Sequence, residues 1–364
     1  MAPRTRVARA VLGLLWLPTI ALAACGGASG KSETSSVTPT AASSLSPPTV
    51  EADPGPGLHF TVSPIEISSL ISITSLGAMA PWGHTLPTDH VYFYHHSGNQ
   101  PYAPVPVYAP AAGRIESIFN GRIDVRVDSI FLYWVGPLAL ADGIAVGARV
   151  EAGTLLGHHS TFPAFDFSVL RSTLRLNFVN PARYGRDTLT ADGPVQYFDE
   201  PLRSAIAAKV LRTGGEIDGR IDYDVDGTLA GNWFAEDLPV AESARGGEMF
   251  YGVRKVAFAR DVFSPQQQRV SIGGLGLTGL HGVPADAPDF AAVTPASGTV
   301  TYRLMAVGAP QSAPSNVQVG WLLVRLIDAQ HLRIEAFPVP YSVAVAGTAV
   351  APTAFSGKAE MYLR

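Results

Sequence analysis

Between Val105 and Pro181 short runs of β-branched and aromatic residues are broken by glycine and proline at regular places. Val105, Val107 and Tyr108 run into Pro110 and Gly113. Val146, Val150, Leu155 and Leu156 are divided by Gly147, Gly153 and Gly157. Glycine admits the positive φ that a tight turn or bulge requires, and residues branched at Cβ fit a pleated, half-buried surface. A block punctuated in this way reads as short strands joined by tight turns.

Composition extends that reading to the whole chain. With 36 glycines and 29 prolines in 364 residues, many short strands fit better than long helices. A hydrophobic share of 47% against 15% charged residues gives enough apolar surface for a sizeable core, and the length suits two domains. The net charge of −4 offers no basic field for nucleic acid, and the single cysteine excludes an intramolecular disulfide.

That cysteine lies in a telling place. Arg4, Arg6 and Arg9 precede an apolar run, Val11 to Leu22, that is short for a bilayer span. The run ends Leu22-Ala23-Ala24-Cys25-Gly26, which resembles a bacterial lipobox. The resemblance implies a signal peptide over 1–24 and lipid on Cys25. It further implies a lipoprotein anchored by its acyl chains on the extracytoplasmic side of the cell envelope. Residues 25–57, rich in Ser, Thr and Pro, read as a flexible linker between anchor and fold.

The block from 58 to 198 resembles the lysostaphin-like (LytM-type) zinc endopeptidase domain, a duplicated hybrid motif fold. The matching pieces are Pro106-Val107-Tyr108-Ala109-Pro110-Ala111-Ala112-Gly113, then Val146-Gly147 through Leu156-Gly157. Phe165-Asp166-Phe167-Ser168-Val169 and Val179-Asn180-Pro181 follow in the family's order. In that family zinc is held by H-x-x-x-D and by the second His of H-x-H, while two more histidines assist the attacking water. Here His84 and Asp89 are one residue too far apart. Asp166 takes the place of the third ligand, and Val135 and Ala164 replace the assisting histidines. The resemblance implies a scaffold retained and a catalytic set broken, because the water lacks its proton acceptor.

A metal set of His84, Asp89 (or His90) and Asp166 remains open for zinc or another divalent ion, with His95, His96, His158 and His159 as alternatives. Against it stands a plain reading in which these side chains hydrogen-bond within their loops. Trp82, Tyr92, Tyr133, Trp134 and Phe165 would border the family's groove and could stack on glycan or peptide. At least half of such aromatics are expected in the core instead.

Beyond this block, Leu202, Ala205, Ile206 and Val210 repeat at helical steps, predicting a bridging helix over 199–213. Residues 216–364 read as β throughout, with seven candidate strands suited to an antiparallel barrel or sandwich. Asp222, Asp224 and Asp226 open like a calcium loop, but Trp233 stands at the twelfth position where a bidentate acid is needed. Gly231-Asn232-Trp233 resembles the G-x-W that opens lipocalin barrels. The chain is therefore expected to be a mainly β, lipid-anchored envelope protein whose peptidase-like domain binds cell-wall material or a partner protein. The alternative is a divergent hydrolase of peptidoglycan peptides using His84, Asp89 and Asp166.

Overall fold

The computed structural model describes residues 57–364 apart from 82, 98–99, 245–252, 308–314, 316 and 348. The expected signal peptide, Cys25, almost all of the linker and Trp82 lie outside the described residues.

Antiparallel pairing runs through the first half. One sheet takes the order β1 (Ser72–Thr74), β2 (Val91–Tyr94), β10 (Ala164–Arg171), β6 (Phe131–Gly136), β5 (Arg122–Arg126), β4 (Gly113–Phe119) and β8 (Arg149–Val150). The short β11 (Ala191–Asp192) adds to β10. A smaller sheet pairs β3 (Val105–Tyr108), β9 (Leu155–His159) and β7 (Ala139–Leu140). The glycines of the sequence block stand where the turns need them. At Gly153 φ is +86°, and a Cβ on Gly157 would lie 2.3 Å from the carbonyl oxygen of Ala139 on the neighbouring strand.

The second half is a closed barrel. Its strands are β12 (Gly231–Ala235), β13 (Lys255–Arg260), β14 (Gln268–Ile272), β15 (Gly279–Gly282), β16 (Val300–Ala306), β17 (Gln318–Leu326), β18 (His331–Pro338) and β19 (Glu360–Leu363). Each pairs antiparallel with the next, and β19 returns to β12 through Phe234↔Leu363. Closure removes the sheet edges that an open sandwich would leave. Phe258, Phe290 and Tyr302 fill the interior, with ring centroids 5.2 and 5.4 Å apart.

Trp233 is completely buried. Its Nε1 donates to the carbonyl of Leu229 at 3.0 Å, and the Arg364 guanidinium lies 4.2 Å above its ring. A Cβ on Gly231, where φ is +114°, would fall 2.2 Å from Asp224 Oδ1. The glycine of G-x-W is thus required by the carboxylate packed against it.

Burial along β12 is continuous because both faces are covered. Trp233 faces inward, while Asn232 and Phe234 face the first half of the chain, where Tyr184 meets each of them. A single hydrophobic core accordingly runs from Phe167 in the sheet to Trp233 in the barrel.

The bridging helix is shorter than expected, Leu202–Ala207. Beyond it the backbone straightens because β1 offers partners: Ile73 N donates to Lys209 O at 2.8 Å, and Leu211 N donates to Ile73 O at 3.0 Å. Val210, read from sequence as a helix position, pairs with Ile73 in a parallel bridge. Arg212 Nη1 and Thr213 N then donate to the carbonyls of Val262 and Phe263, just beyond β13.

The calcium reading of Asp222 and Asp224 is corrected by where their oxygens go. Asp222 accepts from Asn177 N at 2.9 Å and from Arg220 Nε at 2.8 Å. Asp224 accepts from Val179 N at 3.0 Å and from Asn232 N at 2.8 Å. Both side chains are buried pins that hold the 177–179 strap against the barrel, while Asp226 is exposed. Oxygens spent on backbone amides are not available to a cation.

Candidate functional site

Strand β10 alternates as a pleat must. Phe165, Phe167 and Val169 point into the core, and Asp166 and Ser168 take the other face. Asp166 lies opposite Tyr92 of β2 and Gly136 of β6. Immediately before β2, His90 reaches over the same face. Its Nε2 is 3.2 Å from the Tyr92 hydroxyl and 4.0 Å from Asp166 Oδ2. Its Nδ1 donates to Asp89 Oδ1 at 3.0 Å, and the other Asp89 oxygen accepts from Thr188 Oγ1 at 2.5 Å. The His84 ring stands 5.3 Å from that of His90.

The structure therefore brings His84, Asp89 and Asp166 into one neighbourhood but gives them unequal roles. Asp89, expected to be a ligand, has both oxygens engaged and acts on His90 from behind. The imidazole facing Asp166 is that of His90, the alternative to Asp89 in the sequence. Its clue is the i, i+2 spacing of His90 and Tyr92 on one strand face. With Asp89 turned away, the expected His84–Asp89–Asp166 set is not assembled. Among the described residues no group of three or more His, Cys, Asp or Glu side chains is arranged to hold a metal ion. The donors as they stand do not form the three-ligand zinc site that the resemblance implies, and His90 and Asp166 are left as the facing pair.

Electrostatics follow from burial and this pairing. Burial, then the proximity of His90, lowers the His84 pKa to about 4, so its imidazole is neutral. Burial opposes protonation of His90 as well. The hydrogen bond that His90 donates to Asp89 and the charges of Asp166 and Asp89 outweigh it and raise the pKa. Burial pushes Asp89 up, but the hydrogen bond and charge of His90 hold it below the ordinary carboxylate value. Asp166 is raised, by burial above all.

Two expected groove aromatics are corrected. Tyr133 is fully buried with its hydroxyl donating to Ala111 O at 2.9 Å, and Phe165 is fully buried and stacked on Phe93 at 5.3 Å. Both fall on the core side of strands whose outer positions are Trp134 and Asp166. Tyr92 stays half-buried on the outer face. Trp134 also lies there, but it is packed between the His90 ring at 5.4 Å and the Arg122 guanidinium at 4.0 Å. Val135 pairs with Phe167 inside the core, so the β6 position opposite Asp166 is Gly136. The remaining histidines gather elsewhere: His95 Nε2 and His159 Nδ1 are 2.8 Å apart in a buried pair, His96 stacks on Tyr102, and His158 is exposed.

A cavity of about 290 Å³ opens beside His84 and Asp89, between the sheet half and the outer face of the barrel. The 183–188 segment forms another wall, carrying Arg183, Tyr184 and Arg186. Arg122 pairs with Asp124 at 2.6 Å and with Asp187 at 2.7 Å at its rim. Arg183, Lys255 and Thr188, which sequence reasoning did not select, belong to this site. No spacing links them, since the fold brings them from separate elements.

No protein-family model matches the chain, and no curated protein matches it. Among solved structures it is similar to Helicobacter pylori Csd3, at 16% identity and a TM-score of 0.27, over 39% of this chain and 35% of that one. It thus spans about a third of the Csd3 chain. A deep-sea M23 metalloprotease, pseudoalterin, is 22% identical with a TM-score of 0.25, over 38% of this chain and 88% of that one. Lysostaphin from Staphylococcus simulans is 14% identical with a TM-score of 0.26, over 84% of this chain and 91% of that one. The structural neighbours are thus M23 and lysostaphin peptidases, all at low identity and low TM-score.

Proposed function

We propose that this is a lipid-anchored cell-envelope protein whose peptidase-like half binds cell-wall material or a partner protein without cleaving it. The observation that carries the reading is the face around Asp166. The cross-strand positions are Tyr92 on β2 and Gly136 on β6, Ala164 offers no proton acceptor, and the imidazole that faces Asp166, that of His90, is already held between Asp89 and the Tyr92 hydroxyl. Hydrolysis needs a base within hydrogen-bond reach of the attacking water. What remains is a half-buried surface of aromatic and charged groups, suited to stacking and hydrogen bonding. Lipid on Cys25 would hold it at a membrane.

Co-sedimentation of the purified soluble part with isolated peptidoglycan tests the reading, with the supernatant assayed for released peptides. Binding without release is expected. Release of peptides that stops in His90→Ala would overturn it. For the anchor, Cys25→Ala should move the protein out of the membrane fraction; unchanged fractionation counts against lipidation.

One arrangement favours a second reading, a divergent metal-dependent hydrolase. Asp89 fixes the His90 ring from behind while its Nε2 faces Asp166 at 4.0 Å, as outer carboxylates orient metal-binding histidines. Under this reading the purified protein carries a full equivalent of zinc that His90→Ala or Asp166→Ala removes. Substoichiometric metal in the wild type rejects it.

A further inference from the structure

The cavity beside His84 has more positive than negative charge in its wall. Arg122, Arg183, Arg186 and Lys255 line it against Asp89 and Asp187. Asp187 is already taken, 2.7 Å from Arg122 and 3.2 Å from Arg186, and Asp89 is held by His90 and Thr188. Arg183 and Lys255 complete this wall and are 4% and 3% exposed. They flank one ring: the Arg183 guanidinium is 5.0 Å and the Lys255 ammonium 5.9 Å from the centre of Phe234. Arg183 pairs with no carboxylate among the described residues. Its Nη1 donates to Leu238 O at 2.8 Å, and its buried Nε has no partner. Withdrawing such a group from water is costly unless an anion meets it.

A second orphan stands on the same wall. Asn232, 2% exposed, uses its Nδ2 on the Tyr184 hydroxyl at 3.1 Å, and its Oδ1 has no partner. Whichever way the amide is turned, one end remains for a ligand group.

We propose that this cavity binds the free carboxy-terminus of a peptide. The carboxylate meets Arg183 and Lys255, the adjoining amide meets Asn232, and the terminal side chain rests against Phe178 and Leu86. A guanidinium fork matches a planar carboxylate. The Asn232 amide requires a hydrogen-bonding group close to the charge, which a peptide end supplies and a bare phosphate does not. Asp89 on the same wall opposes a dianion. The volume holds a terminal residue and its amide and is small for a longer segment. The proposal rests on the reading that this face binds cell-wall material or a partner, since both present peptide ends.

The test is calorimetric titration of the folded chain with N-acetyl-Ala-Ala, with the same dipeptide amidated at its C-terminus, and with inorganic phosphate. The acid should bind, the amide should bind about tenfold more weakly or worse, and phosphate should not displace the acid. Lys255→Met should weaken the acid by a similar factor. Arg183→Lys, which keeps the buried charge and loses the fork, covers the case in which Arg183→Met fails to fold. Failure of the acid to bind, equal binding of acid and amide, or displacement by phosphate at matching concentration would overturn the proposal. Peptidoglycan co-sedimentation separates the two claims. Sedimentation with indifferent dipeptides sinks the carboxylate site alone, whereas failure to sediment sinks the wider reading.

Discussion

Two groups of aspartates in this molecule do opposite work. Asp222 and Asp224, at the strap against the barrel, give their oxygens to the backbone amides of Asn177, Val179 and Asn232 and to Arg220. Asp166, on the sheet face, has His90 Nε2 as its nearest cation at 4.0 Å, and burial raises its pKa. The first pair is consumed by structure. The second site carries an acid whose environment disfavours its charge. The difference teaches that a run such as Asp-x-Asp-x-Asp says little until the destination of each oxygen is known.

The comparison can be broken at its structural end first. Trp233→Ala empties the largest buried side chain of the barrel and removes the ring under Arg364, so it should cost about 3–5 kcal/mol in chemical denaturation. A cost under 1 kcal/mol would show that the barrel does not depend on that plug. Asp224→Ala leaves the amides of Val179 and Asn232 without acceptors and should cost about 2–4 kcal/mol. If Asp166→Ala costs as much, the distinction between the two groups fails.

A titration sharpens the contrast from a third carboxylate. Asp218 accepts the amides of Val195 and Gln196, yet burial raises its pKa to about 6 from 3.8. The folded chain then holds this proton more tightly than the unfolded one. Its contribution is complete below about pH 4 and is lost as pH rises through 6, a change of about 1–3 kcal/mol. The stability difference between wild type and Asp218→Asn, measured at pH 4 and pH 7, should carry that change; a difference independent of pH contradicts it. The smallest effect is expected at the site itself. Asp166→Asn removes a charge that burial disfavours, so stability at pH 7 should shift by less than about 1 kcal/mol.

Much of the architecture was legible because glycine and β-branched residues mark strands and turns directly. Seven barrel strands stood out in this way. The eighth, Gly279-Leu280-His281-Gly282, was hidden by glycines at both ends, whose strand character comes only from pairing with Arg269 and Ile272. The helix was drawn too long for a related reason. Val210 fits a helical repeat and a strand equally well, and the backbone of Ile73, far away in sequence, decides between them. The site was legible in its sheet residues and not in its second wall. His84, Asp89 and Asp166 come from recognisable segments, whereas Arg183, Asn232 and Lys255 meet only because the barrel docks its outer face there. Face was the other hidden variable: a one-residue difference along β6 and β10 separates Trp134 and Asp166 from Tyr133 and Phe165.

Closure of the barrel has a consequence for how the chain acquires its shape. The bond between Phe234 and Leu363 joins segments separated by most of the second half, and the sheet half packs on the same β12 strand. Contacts so distant in sequence form late, because the intervening chain must first lose its freedom. Until Glu360–Leu363 is in place, β12 presents an unpaired edge, and the floor of the cavity formed by Asn232 and Lys255 has no fixed position. Recognition at this surface should therefore appear only after the final strand has been added, making ligand capture a readout of completed assembly.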